Sequence, residues 1–175
     1  MNRSFQLKAA LFFVCAFMFS SGVMAQMGGN KPIASPRDSV SGMIHGATIT
    51  INYGSPSVKG RKIWGGLVPY DTVWRAGANE ATTFTTSKQI KVQGQVLPAG
   101  KYGFFVIPGT KKWTIIFNSV PNQWGAFKYD SNKDILRVKV KAKKADMPHE
   151  RLVYAVNDKG FVLMWEKLAV PVKVK

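Results

Sequence analysis

The residues best suited to binding chemistry lie in one irregular stretch, residues 54–83, which shows no sustained period of 2 or 3.6. Guanidinium groups bind carboxylates and phosphates through two hydrogen bonds, and indole faces stack on cations and on sugars. We therefore predict a non-catalytic binding site for an anionic or sugar-like ligand. From this stretch the site would use Arg61, Lys62, Trp64, Trp74, Arg75, Asn79 and Glu80.

A second irregular stretch, residues 118–133, places amide side chains beside an indole. Sugar and amide recognition both use this combination, so Asn122 and Trp124 join the predicted ligand-binding residues. If the two stretches lie at one end of the molecule, they form one pocket. The alternative for the amides is capping of loop backbone, which asparagine does in many turns.

Long non-periodic segments inside a domain are usually functional or disordered, and the apolar content of the first stretch is too high for disorder, which predicts an ordered functional loop. The stretch also has a structural interpretation, in which Trp64 and Trp74 are lids on the core and Arg75 pairs with Glu80 to hold the loop shut.

An enzyme is the competing hypothesis, namely a periplasmic hydrolase that uses Glu80 as acid or base with a second carboxylate about 5–9.5 Å away. Other catalytic signals are weak: His45 and His149 lack a metal-binding spacing, and no G-x-S-x-G motif occurs. The only cysteine, Cys15, lies in the N-terminal segment. We expect no catalytic residues, no metal and no cofactor.

Positive charge suggests a third hypothesis. The formal net charge is +16, or +14 without Arg3 and Lys8 of the N-terminal segment. A basic exported protein meets anionic glycans, phosphate and envelope surfaces rather than nucleic acid. An envelope protein would bind lipopolysaccharide through a lysine face, unless those lysines only protect a sheet edge. The face consists of Arg137, Lys139, Lys141 and Lys143.

The N-terminus has the pattern of a signal peptide, residues 1–25. A basic start precedes an apolar run over residues 9–19 and an A-x-A-like site ending at Ala25. The run is shorter than the roughly 20 residues that span a membrane, although an uncleaved anchor is the alternative. We expect cleavage near Ala25, export to the periplasm or beyond, and no transmembrane segment. A flexible leader over 26–40 and a single domain over 41–175 would follow.

Short alternating segments separated by turns predict an all-β fold, an antiparallel β-sandwich or flattened barrel of about eight strands. Residues 101–107 and 113–117 are apolar on both faces, so this hairpin should be central and covered on both sides. The two irregular stretches would be long ordered loops. Pro171 would confine the last short strand, 170–174, to a sheet edge.

Five strings in the chain resemble one family, domain of unknown function 2911: YGSPSVKGRKIWGGLVPY, VWRAGANEAT, LPAGKY, WTIIFN and QWG. The resemblance runs from about Ser35 to the C-terminus and includes the first irregular stretch. It implies an exported protein of the Bacteroidetes type. The family has no established activity, so the resemblance supplies no catalytic residues.

Overall fold

The computed structural model describes residues 34–175. The predicted signal peptide and residues 26–33 of the predicted leader lie outside the described range. Strand β1 begins at Arg37, so residues 37–40 of that leader belong to the first strand instead.

The predicted antiparallel β-sandwich is confirmed, with ten strands and an open main sheet. One short 3-10 turn, Ser131–Lys133, interrupts the strands, and no helix in residues 34–175 is long and apolar enough to cross a membrane. The strands are β1 Arg37–Ile44, β2 Ala47–Gly54, β3 Thr82–Thr86, β4 Ile90–Val92, β5 Gln95–Leu97, β6 Gly100–Ile107, β7 Trp113–Asn118, β8 Asp134–Val140, β9 Lys143–Asn157 and β10 Gly160–Lys173.

Six strands form the main sheet in the order β1-β2-β3-β6-β7-β8, with every pair antiparallel. The predicted β6–β7 hairpin lies in the interior of this sheet, which confirms its central place. Side chains that alternate along the two strands of this hairpin pack into two different apolar clusters. Phe104 and Phe117 join the main core, while Phe105 and Ile116 form a smaller cluster on the opposite, outer face.

The long β9–β10 hairpin is the second layer and covers the inner face of the main sheet. Leu152, Tyr154, Phe161 and Leu163 are buried in the main core. The predicted separate strand 170–174 is the end of β10, beyond a bend at Glu166, whose φ is +54°. Pairing shifts on both sides of this residue mark the bend as a β-bulge.

Candidate functional site

The two irregular loops meet on the outer face of the main sheet. Glu80 and Trp124 pair through a single antiparallel bridge. The Ala81 N–H donates to the Gln123 carbonyl at 2.9 Å, and the Gly125 N–H donates to the Asn79 carbonyl at 3.0 Å. Backbone hydrogen bonds therefore fix the position of the second loop relative to the end of the first.

This junction borders a cleft of about 650 Å³. The floor comes from the sheet, because Asn52 and Thr83 are opposite one another on β2 and β3 and alternate with core residues. Lys101 of β6 and Arg37 of β1 bring positive charge. The two loops complete the cleft with Glu80, Asn122 and Gln123.

Two glycines allow the loops to lie against the sheet. A Cβ atom on Gly103 of β6 would lie 2.6 Å from the carbonyl oxygen of Val120, at the start of the second loop. A Cβ on Gly54 would overlap the carbonyl oxygen of Ala78 in the first loop. Both gaps are too short for a side chain, so these backbone contacts require glycine.

Of the nine predicted ligand-binding residues, Glu80 and Asn122 line the cleft. Trp124 follows the lining residue Gln123, and its side chain is 61% exposed. Asn79 has a left-handed backbone (φ +63°) and donates from Nδ2 to the Ser35 carbonyl at 3.2 Å. Asn79 thus fixes the segment that leads into β1.

Trp64 and Trp74 instead lie in the main core, 8% and 9% exposed. Their rings pack with Trp113 and Trp165, with centroid separations of 4.8–5.9 Å. The Trp74 indole N–H donates to the Gly77 carbonyl at 3.1 Å. These two indoles therefore match the alternative of lids on the core, and neither lines the cleft.

The three basic residues predicted from the first loop do not line the cleft either. The Arg61 guanidinium donates to backbone carbonyls of its own loop, and Lys62 is exposed. Arg75 is half-buried, and burial lowers the pKa of its guanidinium. The expected Arg75–Glu80 ion pair was wrong, because Glu80 pairs with Arg37 at 3.5 Å.

The comparison with family models identifies the family of the chain. A model described as "Protein of unknown function (DUF2911)" matches residues 35–174, nearly all of the described range. The chain belongs to this family. No curated protein and no solved structure matches the chain.

Five polar cleft residues of this family member were not among the predicted site residues: Arg37, Asn52, Thr83, Lys101 and Gln123. Two of them had a sequence signal: Asn52 alternates with apolar side chains in 47–53, and Gln123 lies between the predicted Asn122 and Trp124. Arg37 lies in the stretch predicted to be a leader, although it begins β1. Thr83 and Lys101 reach the cleft through pairing between strands that are distant in the sequence, and no local sequence pattern predicts such pairing.

The cleft offers a mixed set of donors and acceptors. Glu80 is the only carboxylate among its lining residues in the described chain, so the second acid that the hydrolase hypothesis requires does not line it. Residues 34–175 also contain no group of three or more His, Cys, Asp or Glu side chains positioned to hold a metal ion.

The residues of the predicted lysine face do not share one environment in the fold. Arg137 donates from Nε to Asp134 and from Nη2 to the Tyr129 hydroxyl, each at 2.6 Å, which ties it to the second loop. Burial and the hydrogen bond to Asp134 raise the pKa of Tyr129 to about 12. Lys139 and Lys141 instead line a separate basic cleft next to β10.

Proposed function

We propose that the protein binds a small sugar-like ligand carrying an anionic group, without catalysis, in the cleft where the two loops meet. The observation that carries this proposal is the lining itself. Two strands supply an amide and a hydroxyl, the second loop supplies two more amides, and two cations border them. Such groups offer both donors and acceptors to ligand hydroxyls.

Gln123 supports the proposal most directly. Its Nε2 donates to the Val120 carbonyl at 2.9 Å, which fixes the amide plane. Its Oε1 is buried and accepts no hydrogen bond from the described residues. A buried acceptor without a partner costs free energy, so a small shift of Gln123 that exposes Oε1 to a ligand hydroxyl in the cleft would gain a hydrogen bond.

The charged residues suit an anionic substituent. Arg37 and Glu80 form a long, exposed ion pair, with side chains 45% and 52% exposed. Exposed pairs of this kind contribute only about 0–1 kcal/mol, so Arg37 can exchange Glu80 for a ligand carboxylate or phosphate at little cost. Lys101 forms no ion pair with another described residue and adds a second cation.

Trp124 extends the site at its margin. Its exposed indole follows Gln123 in the second loop and offers a flat face of the kind that stacks on a sugar ring.

The N-terminal pattern supports export through a cleavable signal peptide, which would place this site in the periplasm or outside the cell, among anionic glycans and envelope surfaces.

The test is a calorimetric titration of the full chain with neutral, uronic-acid-containing and phosphorylated oligosaccharides. We expect an acidic member to bind. We expect Asn122→Ala and Lys101→Ala each to weaken it by about tenfold, the equivalent of about 1.4 kcal/mol. Lys62→Ala is the matched control, because Lys62 is exposed but lies outside the cleft.

Two results would contradict the proposal. One is binding that neither cleft variant weakens, or no binding across the panel. The other is recovery of cleaved ligand after incubation with the protein but not with Glu80→Gln, which would favour the hydrolase.

A further inference from the structure

We infer that a second groove, on the outer face of the β9–β10 hairpin, binds the acyl chain and anionic head group of a single amphiphile. This groove has a volume of about 630 Å³ and shares no lining residue with the cleft on the main sheet. The inference therefore does not depend on the function proposed for that cleft.

The groove exists because β10 folds back on its own beginning. After the bulge at Glu166, the end of the strand returns to the hairpin turn, where the Val174 N–H donates to the Lys159 carbonyl at 3.1 Å. A Cβ on Gly160 would overlap the Val172 carbonyl oxygen, so only glycine allows the two segments to lie this close. The curved hairpin is thereby held in a concave shape.

The floor of the groove is apolar. It consists of side chains on the face of the hairpin that points away from the main core, including Val162, Met164 and Pro171. Met147 adds a side chain that is 64% exposed. Methionine is flexible and adapts to irregular partners, and an apolar concave surface of this size is typical of a ligand site.

Cations surround this floor. Lys143, Lys144, Lys159 and Lys173 line the groove, and Asp146 is the only acid among its lining residues in the described chain. An adjoining cleft of about 460 Å³ shares Pro171 and Lys173, and is further lined by Lys112, Lys139 and Lys141.

None of these seven lysines forms an ion pair with another residue of the described range. Clustered like charges repel one another and raise the local potential, which attracts anions. An anionic head group would relieve that repulsion.

The apolar floor and the surrounding lysines together indicate the class of ligand. A free phosphate would satisfy the lysines but leave the apolar floor in water, whereas a neutral detergent would cover the floor but leave the repulsion between lysines. A bilayer surface would meet the rim, yet a concave floor does not protrude into it. A chain with an anionic head group contacts both parts at once.

The experiment titrates the full chain with monododecyl phosphate below its micelle concentration, with dodecyl maltoside and inorganic phosphate in parallel. Calorimetry measures affinity, and the methyl NMR signals of Met147 and Met164 report the location. We expect monododecyl phosphate to bind at least tenfold more tightly than either comparison compound and to shift both methyl signals.

Variants separate the two parts of the groove. We expect Lys143→Glu combined with Lys144→Glu to weaken binding about tenfold or more through lost attraction to the anion, and Met164→Asp to weaken it by a similar factor. Met147→Ser tests the floor at an exposed position if Met164→Asp fails to fold. The matched control is Lys88→Glu with Lys128→Glu, whose exposed lysines lie outside the groove and both clefts.

Several results would overturn the inference. Equal affinity for dodecyl maltoside would show that the lysines do not contribute, and equal affinity for inorganic phosphate would show that the floor does not. Binding to phosphatidylglycerol vesicles without binding to monomeric monododecyl phosphate would make the surface a membrane contact instead. If the control variant weakened binding of monododecyl phosphate equally, the loss of affinity would come from the change in net charge and not from the groove.

Discussion

The two irregular loops are built from similar residues and take opposite places in the molecule. The first, residues 54–83, directs Trp64 and Trp74 into the main core, where both are buried. The second, residues 118–133, leaves Trp124 and Phe127 at 61% and 85% exposure. An indole in an irregular loop therefore does not reveal by its type whether it binds a ligand or closes a core.

The difference follows from where each loop attaches. The first loop leaves β2 and brings Ile63 and Val68 into the core, and the buried hydroxyl of Tyr154 on β9 donates to its Ala76 carbonyl at 2.7 Å. The second loop crosses the outer face, where Tyr129 packs on Phe105 with ring centroids 5.1 Å apart. The first loop thus joins the two layers, while the second covers one face and leaves its tip exposed.

Replacement of one tryptophan in each loop should separate these roles most strongly. Trp74→Ala removes a buried ring packed on Trp64 and Trp165, so we expect a loss of about 3–5 kcal/mol in the free energy of unfolding. Trp124→Ala should change it by no more than about 0.5 kcal/mol. Urea denaturation measures both, and equal losses would mean that the loops do not differ as described.

The connection between the first loop and β9 should give a smaller effect. Tyr154→Phe removes the hydroxyl that donates to Ala76, and we expect a loss of about 0.5–1.5 kcal/mol. The Ala76 carbonyl keeps the hydrogen bond from the Thr82 hydroxyl, so it is not left unsatisfied. Tyr70→Phe, at an exposed position of the same loop, is the control and should be neutral in the same denaturation series.

Alkaline pH should test two tyrosine contacts, one at Tyr53 just before the first loop and one at Tyr129 within the second loop. Burial, together with hydrogen bonds to Asp38 and Asp134, raises the pKa values of Tyr53 and Tyr129 to about 12 each. An unfolded tyrosine has a pKa of about 10, so the fold favours the neutral form. This contribution to stability is complete below about pH 10 and is lost as pH rises through about 12.

Denaturation midpoints followed from neutral pH to strongly alkaline pH, with tyrosinate absorbance, would show this loss. Tyr129→Phe should retain more of its neutral-pH stability under alkaline conditions than the unmodified chain, because one tyrosine with a raised pKa is gone. A loss of stability that is complete before pH 10 would contradict the assignment.

The smallest effect is expected at the junction of the loops. Glu80→Gln removes the exposed pair with Arg37, and such pairs are worth about 0–1 kcal/mol. We expect a change of no more than about 0.5 kcal/mol in the free energy of unfolding. A loss as large as that for Trp74→Ala would show that Glu80 supports the fold rather than bordering an open cleft.

Local patterns in the sequence were sufficient for much of the fold. The apolar/polar alternation in the sequences of β2 and β8 matches the alternating burial of their side chains, and the doubly apolar segments predict the central place of β6 and β7. The Asn-Asp-Lys-Gly sequence at 157–160 is typical of a turn and separates β9 from β10. These features depend on neighbours in the chain, so a local pattern is enough to predict them.

The membership of the cleft was less predictable, because it depends on contacts between distant segments. Arg37 comes from a strand that begins within the predicted leader, and it pairs with Glu80, for which the sequence suggests Arg75 as the partner. Lys101 reaches the cleft through the pairing of β6 with β3. The second groove exists because β10 folds back at one bulge, and the alternation of apolar and polar residues does not predict that bulge.

The most direct test of the account is backbone-amide NMR of the full chain titrated with the tightest acidic oligosaccharide of the panel. We predict shifts at residues 80–83, at Lys101 and at residues 121–124, with little change at Trp64 and Trp74. The opposite pattern, with shifts around those two buried tryptophans and none at the loop junction, would contradict the assignment of the first loop to the core and of the junction to ligand binding.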